Sequence, residues 1–249
     1  MEEKKEKGIR LHVFLAKCGV ASRRSSEKMI LDGRVFVNGQ VVLQLGTKVF
    51  DSDSVMLDGK IVTLEKKMRY VLLNKPVGVV STLSDEMGRE TAAHILSSSF
   101  SERLYNVGRL DMFSSGALLF TNDGDFAAKI SHPRSEIEKE YIVEASSHLP
   151  RSLAKDFMKG MRIEGVFYRA NFAEDVNSHE MRIVLTEGKN REIRRVFEFA
   201  GVKVRSLKRI RIGCVLLGTL KPGEFRELES MEVEKLLSLC KNKNDSETY

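Results

Sequence analysis

The sequence predicts an α+β protein in two parts. A small helix–helix–strand unit comes first, and a larger domain with a mainly antiparallel sheet flanked by helices follows. Three observations carry this expectation. The 249-residue length exceeds one average domain and suits a large one plus a small one. Near the start, two short amphipathic helices lead into a hairpin. Further on, strand signals with two-residue alternation, as in KEYIVEA (139–145) and MRIVLTE (181–187), trade places with helical patterns. No internal repeat interrupts this order.

The first unit is expected over residues 9–66. In LHVFLAKCG, Leu11, Phe14, Leu15 and Cys18 recur at helical spacing, and Gly19 stands where a left-handed stop belongs. Ser22 is placed to cap a second helix, SRRSSEKMILDG, which closes at Gly33. RVFVNGQVV comes next, and Asn38–Gly39 between alternating apolar residues predicts a hairpin. A unit of this size lies near the lower limit for independent stability.

The second domain, 68–240, begins after the charged seam LEKKMR (64–69) with YVLLNKP. Strands are expected near 69–74, 103–107, 116–121, 138–145, 181–187 and 202–212. Helices are expected near 90–98, 123–131, 151–159, 190–200 and 230–240. The polar tail CKNKNDSETY is expected to fray.

At 42% hydrophobic and 31% charged residues the chain reads as an ordinary folded, soluble protein. A net charge of +6 and a pI near 9.2 favour a polyanionic partner. That charge is concentrated: from Lys189 to Arg211 nine Lys and Arg face two Glu, a local +7. Phosphate contacts fit such a run, and they make binding salt-dependent. In the first unit Arg23, Arg24 and Lys28 gather at a Ser22-capped helix start, with Arg34 just after the helix, a combination that suits phosphate or a solvated charged face. Cys18, Cys214 and Cys240 have no short metal or redox spacing, so reduced thiols in the cytosol are expected. The start, MEEKKEKG, lacks the apolar core of a secretory signal, and no apolar run approaches the roughly 20 residues that span a bilayer. A cytoplasmic protein without membrane contact is the expectation.

One carboxylate stands out in GRLDMFSSGALLFTNDGD (108–125). Asp111 lies between Leu110 and Met112, with Gly108 before it and the turn-forming Ser114-Ser115-Gly116 after it. Phosphate-loop, dinucleotide, His-Glu-x-x-His and Gly-x-Ser-x-Gly motifs are all absent, so ATP, NAD and zinc chemistry lose weight. A magnesium site of Asp111, Asp123 and Asp125 is a rival. Against it, TNDGDFAAKI reads as a turn and helix cap that uses Asp123 or Asp125. From the residues alone Asp111 remains a turn residue, a metal ligand or a catalyst.

Two neighbours in the fold are legible by periodicity. In REIRRVFEFA (191–200), Ile193, Val196, Phe197 and Ala200 form an apolar face, Arg194 sits on its border, and Arg191 and Arg195 point away. A border arginine can reach into a cleft and pair bidentately with a carboxylate, or simply cover core with its stem. In KEYIV, alternation puts Lys139, Tyr141 and Val143 on one face, where a tyrosine is ordinarily core.

The run LHVFLAKCGVASRRSSEKMILDGRVFVNG resembles the S-four domain, a small RNA-binding module, which implies docking to structured RNA through the second helix. GRLDMFSSGALLFTNDG resembles the active-site signature of the pseudouridine synthases, in the RsuA family that modifies ribosomal RNA. LNKPVGVVST (73–82), HPRSEIEKEYIV (132–143) and TEGKNREIRRVFEFAGVKVRSLKRIRIG (186–213) resemble further blocks of that family in the expected order. The pattern departs at Met112, Phe113 and Ser114, where an aromatic, then an acidic or polar residue, then threonine is usual, and at Ala117.

The resemblance implies cofactor-independent isomerisation of a uridine in ribosomal RNA to pseudouridine, with a slight lean to the large subunit. It implies Asp111 as the essential carboxylate, Arg194 as its cation, and Tyr141 as a base-stacking residue and proton acceptor. Arg109 and Leu207 are expected in the pocket. Expected RNA contacts are Arg23, Arg24, Lys28, Arg34, Lys75, Lys189, Asn190, Arg191 and Arg195. No metal is expected, the partner is ribosomal RNA, free or in an assembling subunit, and the chain is expected to act as a monomer. A non-catalytic RNA-binding or ribosome-assembly factor that keeps the fold is the second reading, and a metal-dependent nuclease the third.

Overall fold

The structure is a computed structural model that describes residues 8–241. The expected fraying of the tail falls largely outside these residues. The chain divides into two compact units. Among the described residues, one holds those up to Met68 together with Phe100–Arg103; the other holds Arg69–Ser99 and those from Leu104 on.

In the first unit β1 (Ile9–Arg10) runs into α1 (Leu11–Lys17), and α2 (Arg23–Leu31) follows. Cys18 ends α1 and Gly19 takes φ +73, the left-handed stop expected there. The Ser22 hydroxyl accepts the Ser25 N–H at 3.1 Å and caps α2. Four strands, β2 (Val35–Val37), β3 (Gln40–Val41), β5 (Val55–Leu57) and β6 (Lys60–Ile61), form a sheet in the order β3-β2-β5-β6, while β4 (Lys48–Val49) pairs with β1. Asn38 and Gly39 have φ of +51 and +80, so the expected hairpin turn joins β2 to β3. Leu11, Leu15, Ile30, Val35, Val49 and Val55 make this unit's core.

The second unit contains β7 (Tyr70–Lys75), α3 (Ala92–Ser97), β8 (Tyr105–Val107), β9 (Ser115–Thr121), α4 (Gly124–Ser131) and β10 (Lys139–Ala145). Next are α5 (Leu153–Lys159), β11 (Met161–Ile163), β12 (Val166–Tyr168), β13 (Phe172–Asn177), β14 (Glu180–Leu185) and α6 (Glu192–Phe199). The chain closes with β15 (Val204–Ile212), β16 (Val215–Leu216), β17 (Phe225–Glu227) and α7 (Ser230–Lys241). Among the described residues a nine-stranded sheet runs β13-β14-β10-β15-β9-β7-β17, with β16 on β15 and β8 on β9. Every pairing in it is antiparallel except β9 with β15.

That one parallel contact joins Ser115 and Gly116 to Lys208 and Arg209. It needs glycine: Gly116 has φ +103, and a Cβ there would stand 2.2 Å from the Arg209 carbonyl oxygen. On one side of the sheet Leu72, Ala117, Leu119 and Ile212 pack with Phe126 and Ile130 of α4 and Leu236 of α7. Alternation then turns Lys75 of β7, and Leu207 and Arg209 of β15, to the other side. The candidate site occupies that side.

Candidate active site

Asp111 sits in the loop between β8 and β9, entered through Gly108 at φ +74. Its carboxylate closes its own turn: Oδ1 accepts the Phe113 N–H at 2.9 Å and Oδ2 accepts the Ser114 hydroxyl at 2.9 Å. Arg194, on α6, donates from Nε to Asp111 Oδ2 at 3.4 Å. The Arg194 side chain is largely buried, so this pair is less screened than a surface pair. Two hydrogen bonds and a guanidinium converge on this one carboxylate and fix its orientation.

The loop is held from a second side. The Ser81 hydroxyl donates to the Leu110 carbonyl at 2.8 Å and accepts the Leu110 N–H at 3.2 Å. Gly78 N–H donates to the Met112 carbonyl at 2.8 Å. Beneath these contacts Lys75, fully buried, donates from Nζ to the Pro76 and Val79 carbonyls at 2.7 and 2.8 Å. Burial pulls the Lys75 ammonium down to about 8; Asp111 pulls it back up and Arg209 pushes it further down. Lys75 thus fixes the 76–79 turn that in turn fixes the Asp111 loop.

Tyr141, on β10, is buried with its hydroxyl accepting from Arg209 Nη1 at 3.4 Å. The two residues are cross-strand partners, and the Arg209 guanidinium lies 5.9 Å from the Tyr141 ring. Arg209 also donates from Nε to the Ala117 carbonyl at 2.7 Å, and its Nη2 is buried with no hydrogen-bond partner. Leu207, two residues back on the same strand face, is buried beside Val143. Asp111, Tyr141, Leu207, Arg109 and Ile193 all line one cleft of about 840 Å³.

Glu192 also lines the cleft, and its charge acts on Lys139. Glu192, 3% exposed, accepts the Lys189 N–H on Oε2 at 3.1 Å and has no partner on Oε1; burial raises its pKa above the ordinary carboxylate value. Lys139 donates to the Ile137 and Thr186 carbonyls at 2.9 and 3.0 Å. Burial first, then Arg209, lowers Lys139 to about 8, against an opposing pull from Glu192.

The structure therefore gathers Asp111, Tyr141, Arg194, Arg109 and Leu207 in one place. It corrects two expectations. Lys75 presents no surface to RNA, because its ammonium is buried and spent on two backbone carbonyls. Arg194 does not grip Asp111 bidentately: its Nη2 turns instead to the Phe113 carbonyl at 2.8 Å and the Ser114 hydroxyl at 3.3 Å. Asn190 and Arg191 are exposed and line the cleft, and Arg23, Arg24 and Lys28 are exposed in the first unit. Arg34 forks onto Asp58 at 2.9 and 2.5 Å, Arg195 pairs with Glu164 at 3.1 Å, and Lys189 is tied to Glu187 and the Phe167 carbonyl.

The sequence had offered Arg209 and Glu192 only as members of a charged run, and Lys139 only as a face-mate of Tyr141. The available signal for Arg209 was its parity with Leu207. Asp123 proves to be a cap, its Oδ1 accepting the Asp125 and Phe126 N–H groups and its Oδ2 the Tyr70 hydroxyl. No group of three His, Cys, Asp or Glu suited to a metal occurs among the described residues. Nor is any helix of those residues long and apolar enough to cross a membrane. The three cysteines are free, and burial pushes the Cys18 thiol up to about 12.

The fold and this carboxylate cleft define an enzyme class. Residues 69–199 match the family model for RNA pseudouridylate synthase, and residues 9–55 match that for the S4 domain. The chain belongs to the RNA pseudouridylate synthases. An uncharacterized RNA pseudouridine synthase of Mycobacterium tuberculosis is 39% identical over 94% of this chain and 95% of its own. The ribosomal large subunit pseudouridine synthase B of Bacillus subtilis is also 39% identical, over 93% of this chain and 96% of its own. A crystal structure of a pseudouridylate synthase superposes with a TM-score of 0.67 at 28% identity, covering 92% of this chain and 99% of that one.

Proposed function

We propose that this chain converts one uridine of large-subunit ribosomal RNA to pseudouridine, with Asp111 as the essential carboxylate. The observation that carries the reading is the Asp111 carboxylate, held by the Phe113 N–H, the Ser114 hydroxyl and Arg194 at the wall of the cleft. The name of the Bacillus subtilis relative, a ribosomal large subunit pseudouridine synthase, supports the choice of subunit.

The reaction breaks the bond between uracil N1 and the ribose C1′, turns the base, and joins C5 to C1′. C5 gives up a proton and N1 ends with one, so atoms and electrons balance without oxidant, reductant or energy source. Asp111 supplies the anionic oxygen that acts on the sugar or the base. Arg194 and the two neighbouring donors hold that oxygen in place. Tyr141 stacks on the base and accepts a proton, its hydroxyl set by Arg209, while Leu207 and Arg109 help enclose the pocket. A paired uridine must be flipped out, or lie in a loop, to reach Asp111.

Arg23, Arg24, Lys28 and Arg34 in an RNA-binding domain spanning 9–66 contact the RNA backbone. Lys189, Asn190, Arg191 and Arg195 do so from the catalytic domain spanning 68–240. Exposed ion pairs are worth only about 0–1 kcal/mol, so Arg34 and Arg195 can exchange Asp58 and Glu164 for phosphate. The protein works in the cytoplasm as a monomer without cofactor, on free RNA or an assembling subunit.

The test is chemical mapping of pseudouridine in both ribosomal RNAs from a strain lacking the gene, after incubation with the protein. One new pseudouridine in the large-subunit RNA is expected. Modification of small-subunit RNA would refute the subunit assignment, and none in either would refute ribosomal RNA as substrate.

A further inference from the structure

We propose that Phe113 is a base-stacking residue: it forms, with Val77, an apolar lip on which an unpaired nucleobase next to the target uridine lies. The inference rests on the chain's action on RNA, not on which uridine it modifies.

Phe113 is an aromatic residue in the loop that carries Asp111. It is 55% exposed, two residues from Asp111. Its backbone is among the best-held in the loop, since the N–H donates to Asp111 Oδ1 at 2.9 Å and the carbonyl accepts from Arg194 Nη2 at 2.8 Å. The groups that orient the carboxylate therefore also hold this ring out in solvent. Val77, 60% exposed, lies in the turn tied to the same loop by the hydrogen bond from Gly78 N–H to the Met112 carbonyl at 2.8 Å. Met112, next to Phe113 in the chain, lines the cleft.

Charge complementarity identifies what covers this lip. The adjoining cleft wall carries the exposed Arg109 and Arg191, with Asn190 and Lys189. Of the carboxylates that line the cleft, Asp85 is neutralised by Arg89 through paired contacts of 3.0 and 2.6 Å, Asp111 faces Arg194, and Glu192 is buried. Glu86 is thus the exposed anion of the lining without a paired cation among the described residues. An apolar lip beside a cationic wall fits a strand that offers π-faces on one side and phosphates on the other, which is unpaired RNA. Every base has a π-face, so the lip contributes affinity and a preference for unpaired flanks rather than a sequence code.

The native chain contains no tryptophan, so Phe113→Trp introduces a unique reporter. On titration with unmodified ribosomal RNA transcripts, its emission is expected to be strongly quenched. Met231→Trp, at an exposed position of α7, is expected to change little under the same binding, followed by anisotropy of labelled RNA. Phe113→Ala leaves the backbone contacts in place; it is expected to raise KM for RNA by roughly 5- to 100-fold with kcat kept, and Phe113→Tyr to restore it. Bound RNA with unquenched emission at position 113 overturns the proposal, as does a Phe113→Ala loss confined to kcat. Failure of the wild-type protein to bind either transcript would instead bring down ribosomal RNA as the substrate, and this inference with it.

Discussion

Arg194 reaches Asp111 with Nε at 3.4 Å, yet it holds the Phe113 carbonyl more closely, with Nη2 at 2.8 Å. One guanidinium thus supplies the charge opposite the carboxylate and sets the loop that aims it. Arg194→Lys keeps the charge and loses the planar fork. It is expected to lower kcat by about 100-fold, the scale of losing a preorganised donor, with a much smaller change in KM. Tritium release from RNA labelled at uridine C5 measures both.

Ser114 tests the other donor. Its fully buried hydroxyl lies 2.9 Å from Asp111 Oδ2. Ser114→Ala removes a hydrogen bond to a charged group, worth about 1.5–3 kcal/mol, so kcat is expected to fall on the order of tenfold or more. Ser114→Thr restores the hydroxyl and is expected to recover most of the rate in the same assay.

Gly116→Ala probes the strand pairing that supports the site. A Cβ there would press on the Arg209 carbonyl at 2.2 Å from a φ of +103. Both costs act on backbone, which cannot step aside as a side chain can. A loss of about 3 kcal/mol or more is expected in urea unfolding.

Lys75 gives a pH signature. Its pKa in the folded protein is lowered from 10.5 to about 8, so between those values the unfolded chain binds more protons than the folded one. Folding stability contributed by this group therefore rises with pH from about 8 to 10.5 and is flat below 8. Lys75→Met is expected to remove that rise from urea midpoints measured across the window. Because Asp111 supports the ammonium, Asp111→Asn is expected to lower the Lys75 pKa further, as followed by NMR of the lysine side chain.

Much of this was legible locally. Asn38–Gly39, the Gly19 stop, the Ser22 and Asp123 caps, and the alternation in β10 and β14 each depend on near neighbours, and each stands where expected. Edge strand β13 escaped because FAEDVN is mostly exposed and shows little apolar alternation. The parallel contact of β9 with β15 joins residues far apart in sequence, and nothing local marks it beyond a glycine. In the site, Asp111 could be placed but its turn and catalytic readings could not be separated; the carboxylate in fact closes its own turn. Lys75 and Arg209 were misjudged for one physical reason. Charged residues are almost never buried unless paired, so a lysine after an expected strand and an arginine in a basic run both read as surface. Here backbone carbonyls hold both cations in the interior.

The most direct test of Asp111 as the essential carboxylate is single-turnover pseudouridine formation by Asp111→Asn, with RNA binding measured in parallel. Asparagine keeps the side-chain shape and an acceptor oxygen but cannot carry the charge. The account predicts retained RNA binding and no pseudouridine above background. Formation at the wild-type rate would contradict it.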